Sequence, residues 1–293
     1  MENNLPYLLN LPPFIHRGVD VNNLGFFSKL IFIIKGKIIS IITNYANENF
    51  FCSLINLFYS KDGKIYFKQG KYIKDNKDFQ EIHYPNKRVL RVVNNYEIHL
   101  DKLYKTYCID FVDLKDGDTV IDCGSNVGEL YLSILKNNIK IDYIAFEPDI
   151  ETYECLKINT SSNKKNQYFN LGLSNVNADK EFYFDSEGGN SSFVDFGTTS
   201  SKILKTVRLD EKIDSDKIKL LKIDAEGYEP EVLEGAKKLF NKIEYITVDF
   251  GAERGIDQNM TIIEVNNILL KNNFELINFS NFRLIGLYKN TAS

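Results

Sequence analysis

The sequence predicts an α/β protein: a doubly wound, Rossmann-like and mostly parallel sheet closed by a final antiparallel strand, preceded by an N-terminal α+β extension. Three observations carry this expectation. From Lys115 onward, short β-branched runs alternate with segments of helical periodicity. A glycine-bearing turn follows the first of these runs, where a strand passes into a helix. The last two apolar runs are separated only by a short turn, as in a hairpin.

The strand candidates in order are Thr119 to Asp122, Ile141 to Glu147, Gln167 to Asn170, Leu220 to Asp224 and Tyr245 to Asp249. Helical spacing joins Leu130, Tyr131, Ile134 and Leu135, and again Val232, Leu233, Ala236, Leu239 and Phe240. The second of these helices opens with Pro230 between Glu229 and Glu231, where proline and carboxylates favour an N-terminus. Strand and helix alternating at this spacing argue for a parallel sheet covered on both faces. FELINF and FRLIGLY flank Ser280-Asn281 and predict the antiparallel end.

Length and composition bound the rest. The chain has 293 residues, 43% of them hydrophobic, enough for one catalytic domain with an addition, which we divide as 1–95 and 96–293. A net charge of −4 and the lack of a long basic run with interleaved aromatics argue against a nucleic-acid partner. Cys52, Cys108, Cys123 and Cys155 form no Cys-x-x-Cys pair and read as reduced thiols of a cytoplasmic protein. The first residues lack the pattern of an export signal. The most apolar stretch, Leu24 to Ile42, is interrupted by Lys29, Lys35 and Lys37, short of the ~20 apolar residues of a membrane span. It reads as a buried or amphipathic helix, with peripheral membrane attachment as the other reading. Residues 49–59 look helical, and KDGKIYFKQGKYI reads as a hairpin or two short strands. Oligomeric state is open.

The sharpest motif is DGDTVIDCGSNVGELYL, with Asp122, Gly124, Asn126 and Gly128 as candidate cofactor-binding residues. A dinucleotide site would want G-x-G-x-x-G to bring a pyrophosphate to the helix. Here three residues separate the glycines, and this form resembles the first motif of class I methyltransferases, in which the amino-acid end of S-adenosylmethionine lies over the loop. Glu147 follows in YIAFEPD, 23 positions after Gly124. A carboxylate there can accept two hydrogen bonds from a ribose diol. The third strand candidate ends in FNLGLSN, which brings Asn170 and the loop to Ser174 toward an adenine.

LLKIDAEGYEPEVLEGA carries Lys222, Asp224, Glu226, Gly227 and Glu229 in a Lys-x-Asp-x-Glu-Gly-x-Glu string that resembles the FkbM-type methyltransferases. GGNSS at Gly188 to Ser192 and VRLDE at Val207 to Glu211 resemble the same family, in the same order. The resemblance covers about residues 100–290 and departs at Glu129, where an apolar or aromatic residue is expected. It implies methyl transfer from S-adenosylmethionine to an oxygen, often a sugar hydroxyl as in a bacterial surface glycan. A lipid-linked or natural-product hydroxyl, and a non-catalytic scaffold, are the alternatives. An alcohol needs in-line placement and loss of its proton. Asp224, at the carboxyl end of a central strand, is therefore the candidate base or metal ligand, with Glu226 its partner and Lys222 offsetting their charge or orienting substrate. Glu229 reads equally as a helix cap. Asn190 to Ser192 is a candidate active-site loop, and His99, alone among His16, His83 and His99, is a candidate substrate contact.

Overall fold

A computed structural model describes residues 12–20, 23–76, 80–185 and 191–292. The chain divides into two compact units, Met1–His99 and Leu100–Ser293.

In the first unit, α1 (Phe26–Tyr45) and α2 (Glu48–Phe58) precede an antiparallel sheet of β1 (Ile65–Lys68), β2 (Lys71–Lys74) and β3 (Ile82–Tyr84). The Asn47 side chain caps α2 by accepting from the Phe50 N–H, which satisfies one of the free donors of the first turn. Gln69 and Gly70, both at positive φ, close the β1–β2 hairpin expected from the sequence. Phe51, Ile55, Ile65, Ile82 and Tyr84 are buried. The following helix, α3 (Tyr96–Thr106), runs across the division into the second unit.

The second unit is organised by β4 (Thr119–Cys123), α4 (Glu129–Lys136), β5 (Asp142–Phe146), α5 (Ile150–Asn159) and β6 (Gln167–Phe169), then β7 (Gly172–Leu173), β8 (Ala178–Tyr183), β9 (Ser201–Val207), α6 (Leu209–Lys212), β10 (Ile218–Ile223), α7 (Glu229–Glu234) and β11 (Ile243–Asp249). It ends with β12 (Ala252–Arg254), β13 (Asn259–Met260), α8 (Ile262–Lys271), β14 (Phe274–Phe279) and β15 (Ile285–Asn290). Seven strands form the central sheet in the order β14-β15-β11-β10-β4-β5-β6. β11, β10, β4, β5 and β6 are parallel, and β15 is inserted antiparallel between β11 and β14.

All six residues of β10 are buried, as expected for a central parallel strand. The order reverses between β4 and β10, which places the crevice outside the carboxyl ends of these two strands, where open α/β sheets bind their ligands. A side sheet, β7-β9-β8, occupies the connection between β6 and β10.

The helix expected across Val232 to Phe240 is two elements. α7 stops at Glu234 and a 3₁₀ turn spans Lys237–Lys242. The break follows from competition for carbonyls: Arg208 donates to the Glu234 oxygen at 3.1 Å and the Asp210 N–H to the Gly235 oxygen at 2.9 Å. The VRLDE segment is thus a clamp, with Arg208 also forked onto the Asp210 carboxylate at 2.6 and 2.9 Å. Glu129 is accommodated as a buried residue of the first turn of α4, where the helix dipole favours a carboxylate. All four cysteines are buried, and none forms a disulfide. Among the described residues, no helix is long and apolar enough to cross a membrane.

Candidate active site

The turn after β4 is held open by two glycines. Gly124 has φ +72°, and a Cβ placed on it would lie 1.9 Å from the Asp224 carbonyl oxygen. Gly128 has φ +87°, and its Cβ would lie 2.4 Å from Thr160 Cγ2. Both backbones occupy the left-handed region, and both make contacts that leave no room for a side chain. Asn126 lies between them, also left-handed at φ 49°. This conformation aims its N–H at Glu147 Oε2, 2.9 Å away.

Glu147 follows β5 directly and is buried. Its other oxygen, Oε1, accepts from the Asp149 N–H at 3.0 Å. Burial pushes its pKa up to about 7 against the pull of these two N–H donors. Each carboxylate oxygen keeps a further acceptor site for a hydroxyl donor. Asn170, just past β6, donates its amide to the Glu147 and Pro148 carbonyls at 2.9 and 2.8 Å, so its side chain braces the Glu147 loop.

Asp122 and Lys222 are a buried pair on adjacent strands, aligned in register and 2.9 Å apart. Tyr143 donates to the second Asp122 oxygen at 2.5 Å. The Lys222 ammonium also donates to the Cys123 and Gly124 carbonyls at 3.1 and 2.8 Å. Burial alone would lower the Lys222 pKa, but the Asp122 and Asp224 carboxylates outweigh it and hold the pKa above the ordinary lysine value. Lys222 therefore ties β10 to the glycine turn, and its three donors are spent on Asp122 and that turn.

Asp224 lies one residue past β10 and belongs to a cluster that includes Glu226, Asp249 and Glu253. Arg283, from the β14–β15 connection, reaches Asp249 at 2.7 Å, Glu253 at 3.3 Å and Asp224 at 3.9 Å. Burial would lower the Arg283 pKa, and the surrounding acids reverse this and hold it above the ordinary value. Tyr107 donates a short hydrogen bond to Asp224 Oδ2. Burial, then Asp224 and Glu253, push Glu226 far above the usual carboxylate range, and burial raises its hydrogen-bond partner Glu253 as well. Asp249 is pushed upward by burial and by Asp224.

The loop bearing Asp224 is braced from behind by Glu229. Its Oε1 accepts from the Ala225 and Gly227 N–H groups at 3.0 and 2.9 Å, and its Oε2 from the Thr261 hydroxyl at 2.9 Å. Those bonds hold a turn in which Glu226 itself adopts φ 49°, a left-handed conformation costing about 1–2 kcal/mol. Glu229 thus supports the Asp224 loop from inside the fold.

Sequence reasoning brings Asp224, Glu226 and Lys222 together, but Lys222 turns toward Asp122. Asp249, Glu253, Arg283 and Tyr107 were missed. Asp249 had a readable signal, since it ends β11 as Asp224 follows β10. Arg283 and Tyr107 stand in connections with no pattern to mark them. Asn190 lies outside the described residues; Ser192 is buried and bridges to Tyr183. His99 belongs to the N-terminal unit.

A seven-stranded sheet with one reversed strand, a glycine turn after the first parallel strand and an acid after the second define the class I methyltransferase fold. The family model for the methyltransferase FkbM domain matches residues 122–276, and the chain belongs to that family. That family is one of methyltransferases. A curated relative, the hexuronic acid methyltransferase AglP of Haloferax volcanii, is 28% identical over 149 residues, half of this chain. The match spans 60% of that relative's length. Solved structures with a similar course include a SAM-dependent methyltransferase of Leishmania major, at 10% identity and TM-score 0.40, covering 69% of this chain and 76% of that one. Another is a SAM-dependent methyltransferase of Aquifex aeolicus, at 15% identity and TM-score 0.38, covering 66% and 97%.

Proposed function

We propose that this protein transfers a methyl group from S-adenosylmethionine to a sugar hydroxyl, as in a surface glycan, with Asp224 as the general base. The observation that carries this reading is the contact between the glycine turn and Asp224, which sets a carboxylate beside the cofactor loop. The hexuronic acid substrate in the name of the curated relative supports a sugar acceptor.

The chain's groups fit the cofactor. Glu147 has acceptor capacity for a ribose diol, and Asn126 and Gly124 present backbone at the turn. When bound, S-adenosylmethionine supplies an electrophilic methyl on a sulfonium. Asp224 takes the hydroxyl proton as the acceptor oxygen forms its new bond to carbon and the sulfur keeps the electron pair of the broken one. Tyr107 and Arg283 fix the orientation of the Asp224 carboxylate, and the upward shift of Glu226 makes it the weaker candidate for the charged acceptor.

Asp224, Glu226 and Glu253 each offer a carboxylate oxygen within 4.8 Å of one another, a spacing that also suits a cation. The Arg283 guanidinium lies among Asp224, Asp249 and Glu253 and offsets one of their charges, so it competes with a cation for this place. The test is a screen of the full-length chain with S-adenosylmethionine against nucleotide-linked sugars, lipid-linked sugars and apolar alcohols, with and without chelator. The expected product is a sugar heavier by one methylene, formed equally with chelator. Methylation confined to apolar alcohols would refute the sugar reading, and activity lost to chelator and restored by magnesium would replace the base with a metal.

A further inference from the structure

We infer that the N-terminal unit docks on an anionic lipid surface through the outward face of α1. The inference stands on that unit alone and is independent of the methyl-transfer reading.

Along α1, Phe27, Ile31, Ile34, Ile38, Ile41 and Tyr45 recur at intervals of four and three residues, which places them in one stripe. All six are exposed, Phe27 at 78% and Tyr45 at 85%. Phe26 and Leu30 are also exposed and widen the stripe to a second row at its N-terminal end. Gly36, Ile39 and Ile42 line the flank that is buried within the unit. A contiguous exposed apolar stripe of this length marks an interaction surface. At 20 residues α1 is ~30 Å long.

Charge identifies the partner. Residues 1–99 carry thirteen lysines and arginines against eight carboxylates, a net +5, while residues 100–293 carry twenty-three against thirty-two, a net −9. The excess is sharpest at the helix: from Val21 to Asn47 there are three lysines and no acid. Lys37 stands exposed within the apolar face, and Lys29 and Lys35 are half-buried. A second copy of the chain would set three lysines against three with no carboxylate to pair them. An anionic bilayer supplies both an apolar boundary for the aromatic and aliphatic side chains and negative charge for the unit as a whole.

The full-length chain is sedimented with phosphatidylcholine vesicles, with and without phosphatidylglycerol, beside the double variant Phe27→Glu/Ile34→Glu. Wild type should bind the anionic vesicles ~10-fold or more tightly than the neutral ones, with the difference shrinking in high salt. The variant should bind at least ~10-fold more weakly at unchanged melting temperature, because both positions face solvent. Equal binding by the variant, or no binding of wild type to anionic vesicles, overturns the inference. A wild-type dimer that the variant dissolves assigns the face to a second copy, and a variant that unfolds several degrees lower assigns it to the chain's own packing; either also overturns it.

Discussion

Gly124 and Asp224 touch through their backbones: a Cβ on the glycine would lie 1.9 Å from the Asp224 carbonyl oxygen, and the Asp224 N–H donates to the Cys123 oxygen at 3.2 Å. The ends of β4 and β10 are thereby locked together, and the glycine turn cannot shift without shifting the candidate base. Gly124→Ala combines a left-handed φ with a clash against backbone, which has no rotamer to escape by. We expect a loss of about 3 kcal/mol or more, read by denaturant unfolding. A variant as stable as wild type would show that the turn relaxes freely.

The Asp122–Lys222 pair predicts a different signature. Removing one partner strands the other charge in a site that water does not reach, so Lys222→Met should cost about 3–5 kcal/mol. Adding Asp122→Asn should restore most of that loss, because the amide is neutral and still receives the Tyr143 hydroxyl. Equilibrium unfolding of the two single variants and the double completes the cycle. Additive losses would mean that the pair is not coupled.

Tyr107 acts through Asp224 and is a positioning residue. Tyr107→Phe removes the hydroxyl that holds Asp224 Oδ2 and leaves the ring, over which Lys222 Nζ lies 5.2 Å from the centroid. Turnover should fall ~10-fold or more with the KM for S-adenosylmethionine unchanged. A loss carried by KM alone would move Tyr107 from the base to the binding site.

With Glu147 as the ribose contact, S-adenosylmethionine binding should depend on pH. Burial raises the folded pKa of Glu147 from the ordinary 4.5 to about 7, so the folded protein holds this proton more tightly than the unfolded chain. The associated stability is full below pH 4.5 and is lost as the pH rises toward 7. A ribose diol donates to the ionised form, so affinity should climb between about pH 6 and 8 and then level. Calorimetry across that range checks it, with Glu147→Gln as the variant whose profile should lose this step. Equal slopes in both proteins would contradict the assignment.

Much of this fold was legible because its signals are local. β4 and β10 announce themselves as β-branched runs, the glycine turn by spacing, and the antiparallel β15 by the short connection after Phe279. Asp224 and Glu147 were legible because strand ends in an open sheet converge on one crevice. What could not be read depends on contacts distant in sequence. Arg283 meets Asp224 from 59 positions away and Tyr107 meets it from 117, and neither carries a pattern. Lys222 shows the same limit: its position on β10 was clear, but its choice of Asp122 over Asp224 is set by strand register. The break after Glu234 was hidden because the groups that end α7 come from Arg208 and Asp210.

The central claim is that the turn at Gly124 and the carboxylate of Glu147 form an S-adenosylmethionine site. Calorimetric titration of S-adenosylmethionine into wild type and Glu147→Ala tests it most directly. The site predicts saturable one-to-one binding that the substitution weakens ~10-fold or more, the loss expected for charge-assisted hydrogen bonds to the ribose. Binding unchanged in Glu147→Ala would contradict the site, and no binding to a folded wild-type protein would contradict the claim as a whole.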